Sequence, residues 1–392
     1  MRKILLFAGA GLFASSAWAQ NSVTLYGIVD AGFTYTSNAA GARQYAMTSG
    51  NMSSDRWGLR GSEDLGGGLS AVFTLEGGFS GTTGALGQNG TFLGRQAYVG
   101  LASKTYGSAV LGRQYATVYD FVGSFESGLA WAAAGAGYGA HPADVDNLDS
   151  FNRVNNTIKY QSVPYRGFQF GGMYSLGGKP GSVGTNQIWA AAASYAVGPF
   201  KLAAGYQSTH NPNFSFFGDK AGDSATGSNM KSPVISGYAT AASQNIFAAG
   251  GSYVLGPATI SVVYSNTRFG GLGTQAVTGM TAAQNAYRGT AAFNVYEANV
   301  KYDLTPSLSF GVSYAYTKNA GNNGSRGADY NQVNLGADYF LSKRTDLYAL
   351  VVYQKASGVD STGNGAVAAI AGATASNSDR QTVALVGIRH RF

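Results

Sequence analysis

Arginine recurs in this chain at even spacings. Arg56 and Arg60 lie four apart in RWGLR, and Arg153 and Lys159 lie six apart. Successive side chains of a strand alternate between two faces, so each pair projects to one side. Trp57 and Leu59 take the face opposite the first pair; Val154, Ile158 and Tyr160 take the face opposite the second. Arg95 precedes Gln-Ala-Tyr at the start of another alternating run, and Arg113 ends a further one. A guanidinium stays charged at any relevant pH and matches carboxylate and phosphate geometry. Rows of this kind can therefore attract anions along a wetted surface. These strands supply no close acidic partner of their own, unlike Lys301, which lies between Asn299 and Asp303.

Reaction chemistry is poorly represented. His141, His210 and His390 are scattered over two loops and the terminus, and no G-x-S-x-G elbow stands out. A nucleophile triad needs convergence that such a scatter does not suggest. A lone histidine in a polar loop is expected to be solvated. GGGLSAVFTLEGG is Gly-rich but joins two strands and opens no helix, so it is no phosphate loop. With no Cys, thiolate metal sites and thiol nucleophiles are excluded. Asp144, Asp146 and Asp149 in ADVDNLD offer oxygen ligands suited to Ca²⁺, yet the spacing lacks the Glu at position 12 of an EF-hand loop. The expectation is a protein without catalytic residues, cofactor or metal.

The elements that must position the arginines are strands. In SLSFGVSYAYTK, Leu308, Phe310, Val312, Tyr314 and Tyr316 share one face, with Ser309, Gly311, Ser313, Ala315 and Thr317 on the other. In NVYEANVKYDL, Tyr296, Ala298, Val300, Tyr302 and Leu304 oppose Glu297, Asn299, Lys301 and Asp303. Only 11% of residues are charged, yet no apolar run beyond the N-terminus is long enough for a transmembrane helix. A soluble Gly-rich β-protein and a membrane β-barrel share that composition. Tyr near strand ends, small aliphatics between and Glu, Lys, Asp and Asn opposite favour the barrel, with aromatic girdles outside and a wet lumen. An Arg facing lipid at mid-depth costs about 2–4 kcal/mol, so the arginine rows must point inward.

Residues 1–19 read as a secretory leader: Arg2 and Lys3, an apolar run, then Ala17-Trp18-Ala19, with cleavage after Ala19. The formal net charge of +7 is modest and includes Arg2 and Lys3. Without basic runs interleaved with aromatics, nucleic acid is not an expected partner. Residues 20–392 form one domain. Sixteen strands are expected, among them 22–36, 51–63, 91–102, 108–116, 151–162, 288–304 and 379–392. Tight connections such as VGP (197–199) and LGP (255–257) alternate with long polar ones, notably 208–243 and 355–378. The chain ends in mid-strand on Phe392 because VGIRHRF must pair with the first strand and close the cylinder. Arg389 and Arg391 are placed at the near rim, away from any selective section.

SVTLYGIVDAGF (22–33), RWGLRGSEDLGGGLSAVFTLEGGF (56–79), RQAYVGL (95–101), GRQY (112–115), NNTIKYQSVPYRG (155–167) and the closing GIRHRF resemble the general porins of Gram-negative outer membranes, the beta-proteobacterial branch in particular. The resemblance covers the whole mature chain. It implies a homotrimer of 16-stranded antiparallel transmembrane β-barrels with short periplasmic turns, long extracellular loops and a third loop, about 117–150, folded inward. It implies contact with lipid and lipopolysaccharide, and reading of Phe392 by the outer-membrane assembly machinery. It also implies a constriction whose basic wall is Arg56, Arg95, Arg113 and Arg153, with Arg60 and Lys159 beside it and Asp120 and Glu126 facing it from the loop. The expected activity is passive diffusion of ions and small hydrophilic solutes with a mild anion preference. Two alternatives stay open: the arginines brace the loop, or they bind an anionic or sugar solute in a substrate-specific channel. A hydrolase or adhesin on a smaller barrel would need ten to twelve strands.

Overall fold

The computed structural model describes residues 22–215, 228–322 and 326–392. The expected leader, residues 1–19, lies outside them, as does the end of NPNFSFFG (211–218), an aromatic loop stretch whose sequence suits a contact with a sugar, lipopolysaccharide or a neighbouring subunit. No described helix is long and apolar enough to cross a membrane; the crossing elements are strands.

Seventeen strands form one antiparallel sheet. They are β1 (Ser22–Ala39), β2 (Ala42–Ser49), β3 (Arg56–Gly66), β4 (Leu69–Gly78), β5 (Gln96–Ser103), β6 (Gly107–Gln114), β7 (Val154–Gln161), β8 (Phe168–Ser175), β9 (Ile188–Val197), β10 (Phe200–His210), β11 (Ser243–Leu255), β12 (Ala258–Leu272), β13 (Gly289–Thr305), β14 (Leu308–Asn322), β15 (Ala328–Phe340), β16 (Thr345–Gly358) and β17 (Arg380–Arg391). β2 pairs with the second half of β1 and β3 with its first half. The two make one stave interrupted at residues 50–55, so the cylinder has sixteen staves. This corrects the expected strand 51–63. β1 and β2 turn tightly at Ala40 (φ 52°) and Gly41 (φ 105°), both left-handed as a two-residue hairpin turn requires. The small-barrel alternatives fall with the stave count, because sixteen staves leave an aqueous interior.

The ends meet as expected. β17 pairs with β1 from Ile28↔Arg391 to Thr36↔Val383. The Phe392 amide donates to the Gly27 carbonyl at 3.1 Å, and the Gly27 amide to the Phe392 carbonyl at 3.2 Å. No edge remains to lose hydrogen bonds to hydrocarbon.

Alternation holds around the wall. Leu25, Phe33, Val99, Val312, Leu335 and Val386 are exposed outward, while Ser265, Glu297, Asn299, Thr317, Asn334 and Gln354 are buried within. It fails at Asn156 (φ 52°), where the β6–β7 register shifts between Gly112 and Gln114. Val154 is consequently buried rather than lipid-facing, against the simple parity reading of that strand.

The segment between β6 and β7 folds into the lumen. Its helix Thr117–Val122 buries Val118, Phe121 and Val122 against Ala190, Ala192, Ala203, Ile246 and Ala248. Small side chains on those inner faces open the space: a Cβ on Gly250 would meet Phe125 at 2.8 Å, and one on Gly171 would meet Phe121 at 3.0 Å. Beyond Phe125 the loop lacks regular structure, and its buried backbone needs polar partners. The wall supplies them. Asn299 Nδ2 donates to the Phe125 carbonyl (2.8 Å), Gln332 Nε2 to Ala140 (3.1 Å), Gln244 Nε2 to Val145 (3.0 Å), and Glu297 Oε1 accepts from the Ser127 amide (2.7 Å). The break between β2 and β3 holds the far side, where the Ala136 amide donates to the Asn51 carbonyl (2.9 Å) and Ser54 Oγ to Gly135 (3.1 Å).

The long loops above are less polar in effect than their composition suggests. Ala366 and Ala369 pack with Val234, Tyr238, Phe269 and Phe293 in one apolar cluster.

Candidate functional site: the cationic constriction

Between the inward loop and the wall remains an open section of lumen of about 380 Å³. Tyr115, Tyr119, Trp131 and Asp149 line it from the loop, and Arg56, Arg95, Arg153, Lys301, Asp338, Arg389 and Arg391 complete its charged lining. Six cations and two carboxylates line it, and Glu76, Asp303 and Asp346 pair with four of those cations.

Arg95 is not a bare charge. Its Nε lies 2.8 Å from Glu76 Oε1, with both side chains buried. Glu76 also accepts from Tyr26 Oη at 2.9 Å. Arg95 Nη2 donates to Tyr115 Oη at 2.6 Å, and the guanidinium of Arg153 lies 5.0 Å from the centroid of the same ring. Tyr115 stacks on Tyr119 at 4.7 Å. The loop's aromatic pair thus holds two arginines in place through one hydrogen bond and two cation–π contacts. Arg95 Nη1 and Arg153 Nε are buried with no hydrogen-bond acceptor among the described residues. Among the described residues Arg56 is held only by Nε donating to the Ser54 carbonyl at 3.0 Å. Among the described residues neither Arg56 nor Arg153 has a carboxylate within ion-pair distance.

The remaining residues named from sequence lie elsewhere. Arg60 sits outside this section, its guanidinium 5.3 Å from the Tyr26 ring centroid. Arg113 also lies outside it. Its Nε donates to the Gly94 carbonyl at 2.8 Å and its Nη1 to Asn155 Oδ1, so it ties the loop's roots to the wall. Lys159 Nζ meets Asp120 Oδ2 at 2.5 Å and the Tyr115 carbonyl at 3.1 Å, a brace between β7 and the loop helix. Lys159 therefore braces the loop helix to β7, while Arg113 links the end of β6 to the start of β7 and to Gly94. Glu126 does not face the arginines. It is fully buried, and its Oε1 accepts from the His141 amide at 2.9 Å. His141, expected to be a solvated loop residue, is buried beside it, with Nδ1 2.8 Å from Asp146 Oδ2 and Nε2 3.1 Å from Glu297 Oε2. Asp144 and Asp146 do not act as an open oxygen cage: the first accepts from the amides of Asp149 (3.0 Å) and Phe151 (2.7 Å), the second from Ser265 Oγ at 2.5 Å.

Burial pushes the Glu126 and Asp149 carboxyls well above the usual range, and nearby acids add to it. Burial alone would depress His141, but the Glu126 and Asp146 carboxylates outweigh it and hold the imidazole well above its ordinary value.

Sequence reasoning missed Arg389 and Arg391. Both reach the passage from the closing strand. Arg389 Nη2 lies 2.9 Å from Asp346 Oδ2 and 3.2 Å from Asp338 Oδ2, its Nη1 donates to Ser53 Oγ at 2.8 Å, and Arg391 Nη1 lies 2.9 Å from Asp346 Oδ1. Glu76 was missed because its partner Arg95 sits on the neighbouring stave. The signal available was parity: Glu76 shares the inward face of β4 with Thr74, just as Arg389 and Arg391 oppose the lipid-facing Val386 and Ile388.

A closed cylinder that is apolar outside and polar inside, narrowed by its own loop at a ring of fixed cations, is a passive membrane channel. The chain belongs to the Gram-negative porin family, whose model matches residues 6–359, and its place is the outer membrane. It is 31% identical to an outer membrane porin protein of Bordetella pertussis and 30% identical to outer membrane porin protein 32 of Delftia acidovorans, with all of each chain covered. Among solved structures, the anion-selective porin from Comamonas acidovorans superposes with a TM-score of 0.72 at 24% identity, over 95% of this chain and 100% of that one. OmpT of Vibrio cholerae in its trimer form gives 0.62 at 15%, over 95% and 99%. Proteins of this family are channels.

Proposed function

We propose that the passage lined by Arg56, Arg95, Arg153, Lys301, Arg389 and Arg391 sets a mild preference for anions among the small hydrophilic solutes that diffuse through. The observation carrying this is that Arg56 and Arg153 line the passage with no carboxylate within ion-pair distance among the described residues, whereas Arg95, Lys301, Arg389 and Arg391 are paired with Glu76, Asp303, Asp338 and Asp346. Fixed wall charge in a narrow pore raises the local concentration of counter-ions without any energy input. The relative from Comamonas acidovorans is described as anion-selective, which agrees.

The working unit is a homotrimer, as the solved trimer form of OmpT supports. Removal of residues 1–19 precedes insertion, and Phe392 serves the assembly machinery as a recognition signal. Lipid and lipopolysaccharide cover the outer surface. Among the described residues no set supports catalysis.

Reversal potentials across a planar bilayer under a KCl gradient test the reading. The wild-type channel favours chloride. Arg56→Gln and Arg153→Gln together move the reversal potential toward zero. An unchanged potential would show that selectivity resides elsewhere, and flux that saturates with one anionic solute would replace general diffusion with a specific channel.

A further inference from the structure

The buried face of the inward loop carries a group of ionisable residues that the channel reading does not use. Glu126, Asp144, Asp146 and Asp149 from the loop and Glu297 from β13 surround a single imidazole, His141, all nine-tenths buried or more. Five acids crowd one imidazole, and buried charge without a partner is expensive.

Three of these side chains converge. One donor atom each from Glu126, His141 and Glu297 lies within 4.8 Å of the other two. Asp146 Oδ2, 2.8 Å from His141 Nδ1 and itself accepting from Ser265 Oγ, assigns the proton to Nδ1. Nε2 faces Glu297 Oε2 across 3.1 Å and, on giving up its proton, is the nitrogen that can take a metal. A carboxylate behind Nδ1 is the usual orienting partner of a metal-bound histidine. Two bonds of ordinary zinc length at a tetrahedral angle set their donors about 3.3 Å apart, near the 3.1 Å between His141 Nε2 and Glu297 Oε2, while Glu126 lies within 4.8 Å of both and would close in on the ion. Independently, Glu126 Oε2 and Asp146 Oδ1 are buried with no hydrogen-bond partner among the described residues. Such orphaned oxygens call for a cation or a proton.

We propose that Glu126, His141 and Glu297 bind one first-row divalent metal ion of the Zn²⁺ type, which fastens the inward loop to β13. The imidazole selects the class, because Ca²⁺ takes oxygen ligands while Zn²⁺ accepts nitrogen and carboxylate together. The ion compensates acids that otherwise stand in excess, and it joins two loop positions, 126 and 141, to a rigid strand. The role is structural, since all three ligands are buried away from the conducting passage.

The full chain, refolded from urea into detergent with EDTA and then freed of chelator, is titrated with Zn²⁺ by calorimetry and its retained metal is counted by mass spectrometry. The expected result is one Zn²⁺ per chain after gel filtration, a higher Tm, and at least tenfold weaker binding in His141→Gln and Glu126→Gln. Should either variant fail to reach the folded, heat-modifiable form, anomalous diffraction from wild-type crystals at the zinc edge decides instead: a peak among the three side chains sustains the proposal. No stoichiometric retention, equal retention by folded variants, a peak elsewhere, or Ca²⁺ held in preference to Zn²⁺ would each overturn it.

Discussion

Arg95 and Glu76 form a buried ion pair across β4 and the start of β5, Nε to Oε1 2.8 Å, at the edge of the conducting passage. The pair moderates the basic wall and fixes an arginine that Tyr115 also holds. Its two halves have opposite consequences. Glu76→Gln removes a negative charge and leaves Arg95 anchored by Tyr115, so anion preference rises in bilayer reversal potentials. Arg95→Gln leaves Glu76 buried without its counter-ion and destabilises the folded barrel by about 3–5 kcal/mol. Denaturant titration followed by tryptophan fluorescence measures that loss.

Selectivity set by wall charge is screened by salt. The Debye length shrinks from about 10 Å at 0.1 M to about 3 Å at 1 M. The chloride preference should therefore fall across that range, most for a charge such as Arg56 that has no counter-ion beside it. Reversal potentials at constant gradient and rising mean salt check this. A preference that holds at 1 M would point to a size filter or a bound solute instead.

Asp120 and Lys159 clamp the loop helix to β7. Asp120→Asn weakens the clamp and leaves Lys159 as an added free cation. The channel should close more often at a given voltage while its preference for chloride grows. Single-channel traces report both quantities at once.

Gly311 and Gly336 make the floor on which Trp131 rests. A Cβ on Gly336 would meet the indole Cε3 at 3.2 Å, and one on Gly311 would collide with it. Gly311→Ala therefore lifts Trp131, which lines the passage, toward the water. Single-channel conductance should drop with little change in ion preference. Gly336→Ala, with more room, should cost less.

Closure at the seam is open to the same kind of test. The Phe392 ring crosses Gly27 so closely that a Cβ there would overlap it. Gly27→Val should lower the fraction of chain reaching the heat-resistant folded form, read by gel mobility with and without boiling. Deleting Phe392 removes the two backbone bonds to Gly27 and should lower it further.

Much of the barrel was legible in the sequence. Inside–outside parity along Glu297 to Asp303 or Leu308 to Thr317 follows from a period of two, and the terminal strand had to find Val23 to Tyr35 because hydrocarbon tolerates no open edge. Errors fell where the period breaks. The break at 50–55 hid β2, and the bulge at Asn156 moved Val154 to the inside. The partnerships Arg95–Glu76, Arg389–Asp346 and His141–Glu297 join residues 19, 43 and 156 positions apart.

By itself the sequence determined a wetted cylinder bearing arginines on its inner face, because lipid and water impose their alternation on each strand locally. Only the tertiary structure decided which cations meet in one passage, which merely brace the loop, and that Glu126 and His141 turn to the wall. Those outcomes depend on where one irregular loop lies, and its path follows from small residues and polar side chains on staves far away in the chain.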